Sequence, residues 1–344
     1  MTRDAPAQPM PAALVNLRDL RKEFAPRRFL GLGGKGTVVA VDDVSFAIPA
    51  GSTFGLVGES GSGKSTIARM ILKLERPTAG EVAVEGRDIF QQTPEEQKAY
   101  RRMVQAVLQD PYGALSPRLR VRDIIGEPLL AQGAHRERIA KEIPRLLDIV
   151  GLAKDAGERY PHQFSGGQRQ RIAIARALSV DPRLLVLDEP VSALDVSIRA
   201  QILMLLRSMQ ERLGLTYLFI GHDLAIVKYV SAIVGVMYFG RMVEIGPADE
   251  VLRRPLHPYT QRLVAVASMN QPLGHHRLTG ELPNPLDPPS GCHFRMRCPF
   301  ATEKCVSDAP PLRDAGRDHR VACHYFEEIE AGRKPETGPM RMSA

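Results

Sequence analysis

The spacing of apolar side chains divides the chain into two kinds of segment. Apolar and polar residues alternate over residues 15–20 and 37–48, the period of antiparallel strands with one buried face. Between them lies Arg27-Arg28-Phe29-Leu30-Gly31-Leu32-Gly33-Gly34-Lys35, a basic, glycine-rich insertion that reads as a loop. Residues 53–57 predict a short apolar strand and residues 65–74 a helix. From about residue 121 to 180 the pattern turns helical, with helices predicted over 123–131, 137–150 and 167–178. The fully apolar run at 184–187 has the character of a strand buried on both faces. A helix (197–212), a strand (216–220) and another helix (224–230) follow. Strand and helix in alternation imply an α/β fold with a doubly wound sheet, into which the helical stretch is inserted. Beyond about residue 255 the pattern fades. Pro283, Pro285, Pro288, Pro289, Pro299, Pro310 and Pro311 crowd a segment that also holds all four cysteines. Residues 255–330 read as a small appended module, residues 1–12 as a disordered leader and 331–344 as a flexible tail.

Composition narrows this picture. The 344 residues allow one large domain and a smaller one, and 44% apolar with 25% charged residues is ordinary for a folded globular chain. The formal charge of +7, carried mainly by arginine, fits a solubilising surface or contact with nucleic acid or an anionic membrane face. Tryptophan is absent and aromatics are only 6%, which argues against a protein that stacks single-stranded bases. No signal peptide is recognisable, and no apolar run approaches the ~18 residues needed to cross a bilayer. The sequence predicts an intracellular protein that does not span a membrane alone, whose cysteines do not form structural disulfides.

Three motifs carry chemistry. Gly58-Glu59-Ser60-Gly61-Ser62-Gly63-Lys64-Ser65-Thr66 lies between a predicted strand and a predicted helix, the context a phosphate-binding loop requires. Its glycines let backbone amides turn toward phosphates, Lys64 brings a positive charge, and Ser65 offers a hydroxyl to Mg2+. Leu184-Leu185-Val186-Leu187-Asp188-Glu189 ends an apolar strand in two carboxylates. Asp188 is a Mg2+ candidate, and Glu189 is placed to orient or deprotonate an attacking water. In Phe164-Ser165-Gly166-Gly167-Gln168, the residues Ser165, Gly166, Gly167 and Gln168 open a helix and expose a hydroxyl and amides at its N-terminus, a second anion site. One ATP does not need two such sites, so this one is expected to face a nucleotide held by another subunit.

With these residues in view, the chain resembles the nucleotide-binding subunits of ATP-binding-cassette (ABC) transporters over roughly residues 13–255. Residues 58–66 resemble their Walker A loop, 184–189 their Walker B strand, and 164–168 their signature. Gln109, in Val107-Leu108-Gln109-Asp110-Pro111, resembles the Q-loop residue that senses Mg2+. Asp195, in Ser192-Ala193-Leu194-Asp195, resembles the D-loop, and His222 the switch histidine that reaches the γ-phosphate. Phe24 is the best match for the aromatic that stacks on adenine, with Phe29 the alternative. The resemblance implies a P-loop ABC ATPase core of α/β type, with an antiparallel β subdomain and a helical subdomain (about 121–180). It also implies a C-terminal extension over 256–330.

Leu256-His257-Pro258-Tyr259-Thr260, Gly280-Glu281-Leu282-Pro283-Asn284-Pro285 and Gly291-Cys292-His293-Phe294 resemble the extension of oligopeptide and dipeptide importer ATPases, most closely their F-type subunits. That resemblance implies ATP and Mg2+ as ligands and a paired D-type ATPase subunit. It implies two transmembrane permease subunits, an extracytoplasmic substrate-binding protein, a peripheral place on the cytoplasmic face of the cell membrane, and no nucleic-acid partner. Nickel and glutathione importers share the extension. A soluble ABC ATPase acting on nucleic acid or ribosomes, and a binding-only regulatory subunit, are the other classes. Cys292, Cys298, Cys305 and Cys323 follow a C-x5-C-x6-C-x17-C spacing that lacks the close pair of a zinc ribbon. Four thiolates suit a [4Fe–4S] cluster, an expectation the resemblance shares; zinc and unliganded thiols are the alternatives.

Overall fold

The computed structural model describes residues 12–25, 36–109, 113, 115–267 and 283–333. The predicted leader apart from residue 12, the insertion with Phe29, the segment 110–112, Gly280 to Leu282 and most of the predicted tail lie outside the described residues.

Strands β1 (Ala13–Phe24) and β2 (Val38–Pro49) pair antiparallel, with Leu17 opposite Phe46, as the alternation predicts. The chain then enters β3 (Thr53–Val57) and, after a loop, helix α1 (Lys64–Ile71). The predicted helix ran to residue 74. It stops short because the backbone turns through Lys73, at φ 56° in the left-handed region. Strands β4 (Ala79–Val84) and β5 (Arg87–Asp88) return to β1 and complete a four-stranded antiparallel sheet in the order β2-β1-β4-β5. Its inner face packs Leu17, Val44, Phe46 and Val82 with Ile67, Met70 and Ile71 of α1. Phe46 stacks on Phe54 of β3 at 4.3 Å between ring centroids, which ties this sheet to the next.

Helix α2 (Pro94–Met103) was not anticipated from spacing, yet its start is written locally. Glu96 N–H donates to the Thr93 hydroxyl (3.3 Å) and Thr93 N–H to the Glu96 carboxylate (2.9 Å), a reciprocal cap with Pro94 at the first turn. Strand β6 (Val104–Val107) follows. Helices α3 (Val121–Ala131), α4 (Arg136–Ile149) and α5 (Gly166–Leu178) fill the stretch predicted to be helical. Ile124, Ile125, Ile143, Leu146 and Ile172 bury their meeting faces.

The remaining core alternates as expected: β7 (Leu184–Asp188), α6 (Val196–Leu213), β8 (Thr216–Gly221), α7 (Leu224–Val230) and β9 (Ile233–Tyr238). Strand β10 (Arg241–Pro247), helices α8 (Ala248–Arg253) and α9 (Pro258–Ala267), and the short strands β11 (Arg313–Asp314) and β12 (Arg320–Val321) complete it. Among the described residues the second sheet has eight strands in the order β11-β12-β10-β9-β3-β8-β7-β6. From β9 to β6 the neighbours run parallel, whereas β10, β12 and β11 add antiparallel edges. The C-terminal segment is therefore hydrogen-bonded into the main sheet through β12. Among the described residues no helix is long and apolar enough to cross a membrane.

Candidate functional site

Four parallel strands, neighbours in the order β3-β8-β7-β6, end on one edge, and each end carries a predicted site residue. Gly58 follows β3, His222 follows β8, Asp188 ends β7 and Gln109 comes just after β6. Ligand crevices form at such carboxyl ends because loops there face away from the packed helices.

The loop after β3 is held tightly. Gly63 sits at φ 104°, and a Cβ there would lie 2.3 Å from the Ala40 carbonyl oxygen, so only glycine fits. Gly63 caps α1 without a side-chain bond, which leaves the first amides of the helix for an anion. Ser60, Gly61 and Ser65 are exposed, Thr66 is half-buried, and Gly58 and Ser62 are buried. The buried Lys64 ammonium donates to the carbonyls of Gly58 (2.7 Å) and Glu59 (2.8 Å) and to the Ser62 hydroxyl (3.2 Å). Burial lowers the Lys64 pKa, and the carboxylates of Glu189, Asp188 and Glu59 oppose that shift. Burial raises the pKa of Asp188, and a hydrogen bond from the Ser65 side chain holds it down in part. The hydroxyl and the carboxylate expected to share Mg2+ thus already touch.

Glu189 collects the rest. Its backbone lies at φ 48°, a conformation costly for a residue with a side chain. It is fixed there by Glu189 N–H on the Ile220 carbonyl (3.0 Å) and by the Ser192 hydroxyl on its own carbonyl (3.1 Å). Gln109 Nε2 donates to its carboxylate at 3.1 Å, and His222 Nδ1 lies 3.4 Å from the same oxygen. Gln109, Asp188, Glu189 and His222 therefore form one polar cluster beside Lys64. A carboxylate held between an amide and an imidazole at this distance can orient a water, while the nearby Lys64 ammonium can offset charge on a phosphoryl group.

The predicted second anion site is built differently. Ser165 caps α5: Gln168 N–H donates to its hydroxyl (3.4 Å), and Ser165 N–H to the Gln168 side chain (3.0 Å). Gly166 adjoins Leu194. A Cβ on Gly167 would come 2.4 Å from Ile198 Cγ2, so α5 and α6 approach closely there. Asp195 caps α6 without a side-chain bond, and Arg199 pins the preceding loop through the carbonyls of Leu194 (2.6 Å) and Ser192 (3.2 Å). Phe24 ends β1 opposite Val38, and the Lys22 ammonium sits 4.8 Å from its ring centroid.

Cys292, Cys298, Cys305 and Cys323 are free thiols that line one cavity with His257, Phe294 and Tyr325. Burial pushes Cys292 up to about 11 and Cys323 up to about 12, and raises Cys298 as well. Among the described residues no group of three or more His, Cys, Asp or Glu side chains is arranged to hold a metal ion. The [4Fe–4S] ligand set expected from the four cysteines is thus not preformed among the described residues.

Several contacts around the candidate site and the C-terminal segment were not visible in the sequence. Arg297 grips Glu59 of the phosphate loop, Tyr259 accepts a bond from the same loop, and buried Glu244 accepts the amides of Leu256 and His257. The His257-Pro258-Tyr259 motif was a partial signal; the partners of Arg297 and Glu244 left none.

A profile of the family described as "ABC transporter" matches residues 41–192, and one described as "Oligopeptide/dipeptide transporter, C-terminal region" matches residues 243–305. The oligopeptide transport ATP-binding protein AppF of Bacillus subtilis (strain 168) is 46% identical over 91% of this chain and 97% of its own length. The di/tripeptide transport ATP-binding protein DppF of Pseudomonas aeruginosa (strain UCBPP-PA14) is 45% identical over 92% of this chain and 98% of its own. The chain belongs to the oligopeptide/dipeptide importer ATPase family. As a member of that family it is an ABC-type ATPase. Among solved structures, the ATP-binding cassette MJ0796, a dimer in a post-hydrolysis state bound to ADP and Pi, is 28% identical with a TM-score of 0.59, covering 68% of this chain and 98% of that one. The cbiO1 subunit of the Clostridium perfringens cbiONQ transporter is 25% identical with a TM-score of 0.61, covering 74% of this chain and 97% of that one.

Proposed function

We propose that this importer ATPase hydrolyses ATP to energise uptake of dipeptides or oligopeptides, working as one half of a heterodimer with a D-type ATPase subunit. The observation that carries the reading is the cluster of Gln109, Glu189 and His222 beside Lys64 and the Ser65–Asp188 pair. The sequence relatives named for peptide transport supply the cargo class.

ATP sits with its adenine near Phe24 and its phosphates over Gly61, Ser62, Gly63, Lys64, Ser65 and Thr66. Ser65, Asp188 and Gln109 would hold Mg2+, which supplies charge neutralisation to the phosphates when bound. Glu189 orients the attacking water, and His222 reaches the γ-phosphate. Ser165, Gly166, Gly167 and Gln168 close over the nucleotide of the partner ATPase, as the partner's equivalent does here, with Asp195 at the seam. Closure and reopening of the pair would move two transmembrane permease subunits, fed by an extracytoplasmic binding protein. The chain then acts at the cytoplasmic face of the membrane. The same reading divides it into a nucleotide-binding unit (13–255) and an extension (256–330).

Within this reading the extension holds a [4Fe–4S] cluster on Cys292, Cys298, Cys305 and Cys323. The common cavity supports it, as do backbone N–H groups that bond the sulphurs of Cys292, Cys298 and Cys323 and so favour the thiolate. A soft metal centre would take the protons from these buried thiols and cross-link a Pro-rich segment. Anaerobic purification should yield a brown protein with bound iron and sulfide. A colourless, iron-free preparation sinks the cluster, and stoichiometric zinc replaces it.

Co-purification with permeases, followed by identification of the ligand on their binding protein, tests the function. Peptides are expected. Nickel or glutathione would overturn the cargo, and salt-sensitive nucleic-acid binding without permeases would overturn the transport role.

A further inference from the structure

Glu59 is the only acidic residue in the phosphate loop, and all its polar groups are taken. Its N–H donates to the Tyr259 hydroxyl at 2.8 Å. Its carbonyl accepts from Lys64 at 2.8 Å. Its carboxylate accepts both arms of the Arg297 guanidinium, at 2.7 and 3.0 Å. Arg297 comes from 238 residues away, and its side chain is only 5% exposed. The Tyr238 hydroxyl accepts a further bond from it at 3.4 Å. Tyr238, Tyr259 and Phe294 pack their rings with centroids 4.8 to 5.5 Å apart around this contact.

A buried guanidinium is a costly way to stabilise a fold, because desolvation consumes most of the attraction. Its position gives it another use. A carboxylate beside a loop that gathers a triphosphate repels the ligand, and a forked cation on that carboxylate cancels the repulsion. We propose that Arg297 and Tyr259 are positioning residues for ATP binding, holding the outer arm of the phosphate loop and neutralising Glu59 within it. The C-terminal segment thereby belongs to the nucleotide site. The proposal rests on the loop being that site.

Equilibrium ATP binding by the full chain, read by displacement of a fluorescent ATP analogue, tests it. Arg297→Gln should raise the Kd about tenfold, the order expected for one unscreened charge near a polyanion. Arg297→Gln combined with Glu59→Gln should return it to within about threefold of the parent, since no bare carboxylate remains. Tyr259→Phe, which removes only the acceptor for the Glu59 amide, should weaken binding about threefold. If Arg297→Gln does not fold, Arg297→Lys keeps the charge but not the two-armed hold on Glu59, and should bind within about fivefold of the parent. An unchanged Kd in folded Arg297→Gln overturns the proposal. So does a double variant as weak as the single one, or a tenfold loss in Arg297→Lys, because mere structural support gives those results. If the parent chain itself fails to bind ATP, the nucleotide-site reading falls instead.

Discussion

Glu244→Ala should release the start of the C-terminal segment from the main sheet. Glu244 is fully buried on β10. One carboxylate oxygen accepts Leu256 N–H at 2.7 Å and His319 Nε2 at 2.7 Å, and the other accepts His257 N–H at 3.0 Å. Hydrogen bonds to a charged group are worth about 1.5–3 kcal/mol each. Truncation leaves two amides and an imidazole buried without their acceptor, and breaking such a site costs about 3–5 kcal/mol. The expected loss is therefore about 4 kcal/mol, concentrated where β10, β12 and the residues before α9 meet. Urea unfolding followed by far-UV circular dichroism, with limited proteolysis mapped by mass spectrometry, reads it. The variant should unfold at lower urea and be cut after residue 255 under conditions that leave the parent intact. A loss below about 1 kcal/mol with an unchanged cleavage map would refute the clamp.

Three further outcomes follow from single sites. His257 is fully buried, and burial pushes its pKa down to about 3, so only the unfolded chain takes up its proton between about 6.5 and 3. Its stability contribution is complete above pH 6.5 and falls with pH, by about 1.4 kcal/mol at pH 5.5; His257→Gln should flatten the pH–stability curve there, and an unchanged slope would refute the assignment. Gly167→Ala drives a methyl into Ile198 and should cost about 1–3 kcal/mol by thermal unfolding, with reduced ATPase activity; a neutral effect would show that α5 and α6 can separate freely. Lys64→Met should abolish the stabilisation ATP confers, about 2.7 kcal/mol at a hundredfold excess over Kd in the parent, and a retained shift would place the ligand elsewhere.

What the sequence disclosed depends on how far apart the interacting residues lie. The Gly58 loop, the Asp188-Glu189 pair and the Ser165 cap are each written in a few consecutive residues, because phosphate cradles and helix caps are local devices. The antiparallel pair β1 and β2 was legible from alternation, and β7 from its continuous apolar run. Helix α2 was missed although Thr93 and Glu96 spell its cap, because its face is mostly polar and only Tyr100 is buried. The hold of Arg297 on Glu59 was invisible. Two charged residues 238 positions apart carry no periodicity, and only folding shows that they meet. The same holds for His319 and Glu244, 75 residues apart. The cysteine spacing indicated a common destination, and the four thiols do line one cavity, but spacing could not report that burial raises the pKa of Cys292, Cys298 and Cys323.

The central claim is that this chain's cluster around Glu189 hydrolyses ATP in a site completed by a partner subunit. Glu189→Gln in the assembled transporter tests it most directly, by steady-state phosphate release together with nucleotide retention. The account predicts turnover cut by at least about a hundredfold, with ATP retained in a stable closed pair of ATPase subunits. Steady-state hydrolysis equal to that of the parent complex would contradict it.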